Sequence, residues 1–149
     1  TFSIVFFSMF LHFGAPHLIN NILVLFVLGQ RLEPAVGKLK FLLIYIAGGL
    51  GGNLISLFWD IHTGDYSVSA GASGAVFALM GGMLYVIMRH RGRVADLTIR
   101  QMLIMAAFSL YFGFASEGVD NAAHAGGLVC GFLTAVIVYH PRKIWKIVP

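Results

Sequence analysis

The sequence predicts an all-α polytopic membrane protein with five transmembrane helices, and two observations carry that prediction. Of its 149 residues, 58% are hydrophobic and only 11% are charged, against about 25% charged in an ordinary soluble domain. So few polar groups cannot cover a water-facing surface, which excludes a soluble globular enzyme and a disordered chain. The second observation is where the ten Lys and Arg residues fall. Arg31, Lys38 and Lys40 follow one apolar segment, Arg89, Arg91, Arg93 and Arg100 follow another, and Arg142, Lys143 and Lys146 follow the last. The connections between these groups carry Asp60, Asp65, Glu117 and Asp120 instead. Alternation of this kind is what the positive-inside rule imposes on a chain that crosses a bilayer repeatedly.

The elements follow in order. Residues 1–16 are Phe-rich but short for a span and closed by Gly14-Ala15-Pro16, so they read as an interfacial or re-entrant stretch. Pro16 then sits where a proline favours the first turn of a helix. The spans are expected at about residues 17–30, 41–59, 71–88, 101–116 and 121–139, within a single domain covering 1–149. The basic connections and the C-terminus are expected on the cytoplasmic side, with the loops around Asp60–Asp65 and Glu117–Asp120 outside as solvated segments. The net charge of +4 is accounted for by these span ends and implies a lipid bilayer as partner, with no nucleic acid. Cys130 stands alone in an apolar run, so neither a disulfide nor a cysteine-based zinc site is expected.

Polar residues inside spans are costly and are candidates for function. His17, Asn21, Ser73 and His124 stand out, all near the outer ends of three different spans. His17 and Asn21 are four residues apart and share a helix face. Each alone reads more readily as a group satisfying a neighbouring backbone in a bundle, and the pair at one depth brings the functional reading level with it. Ser73 lies in Gly71-Ala72-Ser73-Gly74, where a helix begins after a polar loop. A serine there is commonly a cap, but the free N–H groups of a helix start also suit a nucleophile whose oxyanion must be held. His124, Gly127 and Gly131 share one face, as do Gly74, Ala78 and Gly82, and small-residue faces of this kind let helices approach closely. Should those faces meet, Ser73 and His124 come together. A zinc site from His12, His17 and His124 lacks the spacing of a metal motif, and no metal or other cofactor is expected.

Three strings, His12-Phe13-Gly14-Ala15-Pro16-His17-Leu18-Ile19-Asn20-Asn21, Gly71-Ala72-Ser73-Gly74-Ala75-Val76-Phe77 and Asn121-Ala122-Ala123-His124-Ala125-Gly126-Gly127, resemble in order and spacing the rhomboid family of intramembrane serine proteases. The resemblance implies a rhomboid-like helical bundle and a Ser73–His124 catalytic dyad. It implies an oxyanion hole from His17, Asn21 and the Ser73 backbone N–H, with Gly71, Gly74, Phe77, Asn121, Gly127 and Gly131 as supporting motif positions. Family members of the basic bacterial type have six spans. Here the first span and most of the loop after it are absent, so the sequence reads as a piece beginning late in that loop, five spans of six. Many relatives carry tyrosine where Phe77 stands, which keeps the ring and removes a hydroxyl. Implied substrates are single-span transmembrane proteins, cut near the outer face of what the compact topology suggests is a bacterial plasma membrane. Asp120, one turn before His124, is expected to be exposed rather than a third catalytic member. Two other classes stay open: a non-proteolytic relative that binds transmembrane clients, and a small transporter or channel lined by His17, Asn21 and His124.

Overall fold

The computed structural model describes residues 3, 6, 7, 10–12, 14–64, 72–115 and 118–141. Five helices account for most of them: α1 (Ala15–Val36), α2 (Lys38–Thr63), α3 (Ser73–Arg89), α4 (Ile99–Ala115) and α5 (Asn121–Val138). A two-stranded antiparallel hairpin, β1 (Arg93–Val94) and β2 (Leu97–Thr98), precedes α4. Gly71, Asp65, Ser116, Glu117 and the basic residues at 142, 143 and 146 lie outside the described residues, as do seven of the first sixteen.

Pro16 opens α1 as its position suggests. The helix then runs six residues beyond the predicted end at Gln30, through Pro34 to Val36. Gly37, at φ +91°, ends α1 and caps α2: its N–H donates to the Glu33 carbonyl at 2.7 Å and its own carbonyl accepts from Phe41 at 2.9 Å. One residue thus closes one helix and starts the next, in a backbone region that glycine tolerates without strain. α2 ends four residues past the predicted limit, at a left-handed Gly64 whose N–H satisfies the Asp60 carbonyl at 2.9 Å.

α3 is the axis of the bundle. Of its 17 residues 13 are buried, from Gly74 to Ile87, and a helix apolar all round is stable only when surrounded. The other helices face it with one side and present large apolar residues outward: Phe26 on α1, Leu54 and Phe58 on α2, Phe108 and Phe114 on α4, Ile137 on α5. Such a surface is suited to hydrocarbon, where helix association rests on packing and not on escape from water. α2, with 26 residues, and α5, with 18, are long and apolar enough to cross a membrane by themselves, while α3 and α4 have 17 each.

The seam that locks the bundle is made of small residues on three helices. A side chain at Gly127 of α5 would fall on the Gly74 carbonyl of α3, and one at Gly131 on the Ala78 carbonyl. A side chain at Gly52 of α2 would meet the Ala123 carbonyl at 2.7 Å and the Gly127 nitrogen at 2.9 Å. The predicted small-residue faces of α3 and α5 therefore meet, with one correction: Gly82 turns mainly to Ile44 of α2, 2.9 Å from a built Cβ, and Gly81 takes its place against Leu128 of α5. The Gly48–Gly52 face of α2, which the sequence displays in Ala47-Gly48-Gly49-Leu50-Gly51-Gly52, completes the seam and was not among the expectations.

At the basic end the chain is tied by side chains. Arg31 grips Asp96 in the hairpin with two nitrogens at 2.5 and 2.7 Å, which holds the Asp96 carboxyl down at about 2. The hairpin itself, with Ala95 at φ +51° in its turn, replaces what the sequence suggested was only a basic connection. Buried Tyr139 hydrogen-bonds and stacks with His90, and Lys40 lies over its ring at 6.0 Å from the centroid.

Candidate functional site

The site is built where α3 and α5 begin. α3 starts at Ser73 with no side-chain cap, so the N–H groups of its first turn have no partner from a capping residue. One turn on, Phe77 is buried and its ring stacks on that of His124, centroids 4.3 Å apart and planes 14° from parallel. Residues four apart share a helix face, so the imidazole stacks on the residue one turn after Ser73. Below it the Gly74–Gly127 contact brings the two backbones together with no side chain between. Ser73 is half-buried; His124 is only 8% exposed, and its Nδ1 is buried without a hydrogen-bond partner.

α1 adds a second polar pair. Asn21 is buried, at 5% exposure, and its side-chain nitrogen makes no hydrogen bond. His17, one turn earlier, is half-buried, meets the ring of His12 edge-on at 5.5 Å, and is close enough to His124 to act on it electrostatically. A buried amide N–H with no acceptor costs on the order of 1–3 kcal/mol. Keeping one at the same end of the bundle as an uncapped helix start suits a place where negative charge forms transiently.

α2 contributes what the sequence reading missed. Asn53, Ser56 and Asp60 are all buried, and their spacing of three and four residues sets them on one stripe of the helix. That spacing inside an apolar segment was the available signal. Asn53 Oδ1 lies 3.5 Å from where a side chain on Gly74 would begin. The Ser56 hydroxyl donates to Asp120 Oδ2 at 2.5 Å, while Asp120 Oδ1 accepts from the Ala123 N–H at 2.8 Å and so caps α5.

Two expectations are overturned here. Asp60 is not a solvated loop residue: it sits in the last turn of α2 at 8% exposure. Asp120 is not an exposed helix end but a half-buried cap, with both carboxylate oxygens engaged by Ser56 and Ala123. Both its oxygens are thus engaged, one turn before His124, whose Nδ1 is buried without a partner. Asn121 donates to the Val119 carbonyl at 3.4 Å, and its Oδ1 is buried against Gly113 of α4 with no partner. Gly131 packs deeper in the seam, and Gly71 lies outside the described residues. Among the described residues no three His, Cys, Asp or Glu side chains converge as metal ligands.

A hydroxyl at a helix start, an imidazole over the same face and unpaired donors nearby are the parts needed for acyl transfer. Comparison with known proteins bears on that chemistry. The family profile described as "Rhomboid domain" matches residues 1–141. The "Rhomboid protease GluP" of Bacillus subtilis (strain 168) is 36% identical over 132 residues, covering 89% of this chain and 25% of that protein. "RHOMBOID-like protein 4" of Arabidopsis thaliana is 37% identical over 138 residues, 91% of this chain and 34% of its own length. The "Rhomboid protease AarA" of Providencia stuartii is 35% identical over 159 residues, 92% of this chain and 56% of its own. The chain therefore spans between a quarter and little more than half the length of these relatives.

Proposed function

The chain belongs to the rhomboid family, and from that membership we propose that it is an intramembrane serine endopeptidase using Ser73 as nucleophile and His124 as base. The observation that carries the reading is the Phe77–His124 stack, which fixes the imidazole over the face of α3 that begins with Ser73. His124 takes the proton of Ser73 Oγ as that oxygen attacks the scissile carbonyl carbon. The resulting oxyanion is held by the backbone N–H of Ser73, the Asn21 side-chain N–H and His17. In a soluble serine protease one such donor is worth about 10²–10³ in rate. Collapse breaks the C–N bond, the leaving amine takes the proton from His124, and the acyl group stays on Ser73 as an ester. Water, deprotonated by His124, then hydrolyses the ester and restores the serine. With Asp120 committed to Ser56 and the α5 cap, positioning of the base rests on ring packing against Phe77 and not on a carboxylate.

The substrates in this reading are single-span transmembrane proteins. The site opens on the side opposite the basic connections, which face the cytoplasm together with the C-terminal end. Water must reach Ser73 there, and polar groups such as Asn21 and Asn53 are tolerable at that depth only beside protein or a wet cavity.

The test is covalent labelling of the detergent-solubilised protein with a fluorophosphonate probe. Wild type is expected to label, and Ser73→Ala and His124→Ala are expected to lose labelling while keeping the wild-type melting profile. Labelling that persists in folded Ser73→Ala would overturn the assignment of the nucleophile, and persistence in His124→Ala would overturn that of the base.

A further inference from the structure

At the basic end of the bundle, far along α1 from His17, a groove of about 430 Å³ runs between α1 and the start of α2. That is within the size range of small-molecule sites. Its walls are graded along the helix axis. Leu25, Phe26 and Phe41 form one end, and Gln30, Glu33 and Pro34 the other. Leu25 and Glu33 are eight residues apart, about 12 Å along a helix. The apolar end therefore points toward the middle of the bundle and the polar end toward the basic face, at the depth where headgroups begin. Phe26 is 59% exposed on the outward side, so the groove opens to lipid.

The polar end offers acceptors. Pro34 has no N–H, which deprives the Gln30 carbonyl of its partner in the helix. Glu33 is half-buried and, among the described residues, pairs with no cation, although Lys38 and Lys40 follow within seven positions. The other described carboxylate at this end, Asp96, is taken by Arg31. A half-buried carboxylate beside a carbonyl that lacks its i+4 N–H partner calls for a cationic N–H donor, and among the described residues no cation pairs with Glu33.

We infer that this groove binds a phospholipid with a primary-amine headgroup, a phosphoethanolamine lipid, its ammonium donating to Glu33 and the Gln30 carbonyl and one acyl chain lying along Leu25, Phe26 and Phe41. Charge complementarity selects the amine, and the lipid-facing opening with its polar-to-apolar gradient selects a lipid over a soluble amine. Nothing in this inference depends on proteolysis, and its test reads binding alone.

The experiment is native mass spectrometry of the detergent-solubilised protein with added phosphatidylethanolamine, phosphatidylcholine or phosphatidylglycerol. The choline headgroup keeps the charge but has no N–H to donate. Wild type is expected to retain the ethanolamine lipid roughly tenfold more tightly than the choline lipid, the size of one charge-assisted hydrogen bond. Glu33→Gln should bring that preference to near parity, and Gly29→Leu, which fills the groove wall beside Phe41, should lose both lipids at unchanged melting temperature. Equal retention of the two lipids by wild type, a preference for the glycerol lipid, a preference surviving in Glu33→Gln, or equal protection by free ethanolamine would each overturn the inference.

Discussion

His90 shows at the scale of one residue how position sets behaviour. It lies just past the end of α3, partly buried against Tyr139, and burial lowers its pKa from 6.5. Burial disfavours the charged imidazole beside Tyr139, so the folded protein binds a proton less readily than the unfolded chain does. The stability this pair contributes is therefore present above pH 6.5 and lost as pH falls toward the folded-state pKa. Thermal melts between pH 7.5 and 5 should show the wild type losing stability on acidification, and His90→Asn should flatten that slope. Residue-scale chemistry was unevenly legible in the sequence. His124 and Asn21 stand out because a polar group in an apolar segment is expensive, and both prove buried. Asp60 and Asp120 are buried and half-buried although both stand beside loops, because closeness to a loop in sequence does not set exposure. Only the fold reveals that Ser56 of α2 reaches Asp120, 64 residues away.

Elements are held here by what they lack. The α3–α5 seam has backbone against backbone, so its tolerance is set by single atoms. Gly127→Ala would drive a methyl group into the Gly74 carbonyl, which neither helix can move aside. That change should cost at least about 3 kcal/mol, the upper end of ordinary overpacking, read as a fall in melting temperature in detergent. Gly74→Ala, whose nearest neighbours stand 3.5 Å away, should be far milder in the same measurement. The five helices were legible because each is a long apolar segment with charge or glycine at its ends, and Gly74, Ala78, Gly127 and Gly131 announced their seam by spacing. Their ends were less so. α1 outruns Arg31 because Pro34 falls in its last turn, where its missing N–H removes a single helix bond, to the Gln30 carbonyl. The hairpin at Arg93–Thr98 left no sequence signal beyond a run of charges. α4 is the least embedded of the helices, burying only Met102, Ala106 and Gly113.

Across the whole molecule the usual inside–outside rule is relaxed on one side only. The core is apolar and so is most of the outer surface, so the two must be told apart by packing and not by composition. Met83 is fully buried on the central helix, whereas Ile137 is 74% exposed on α5. Truncating Met83 to Ala should destabilise the detergent-solubilised protein by about 2–5 kcal/mol through the cavity left behind. The same truncation at Ile137 should stay within about 0.5 kcal/mol, and equal losses at the two sites would mean that Ile137 is covered by protein. Composition made the membrane legible at once. Which face of each helix turns inward was legible only for the small-residue faces, because lipid and core accept the same side chains. The glycine seam also dictates an order of assembly. Both α2 and α3 present bare backbone to α5, the helix made after all the others described here. Until residues 121–138 have docked, those two grooves lack the backbone that fills them. The described bundle is therefore closed by α5, like an arch completed by its keystone, and the docking that locks the seam also brings His124 against Phe77.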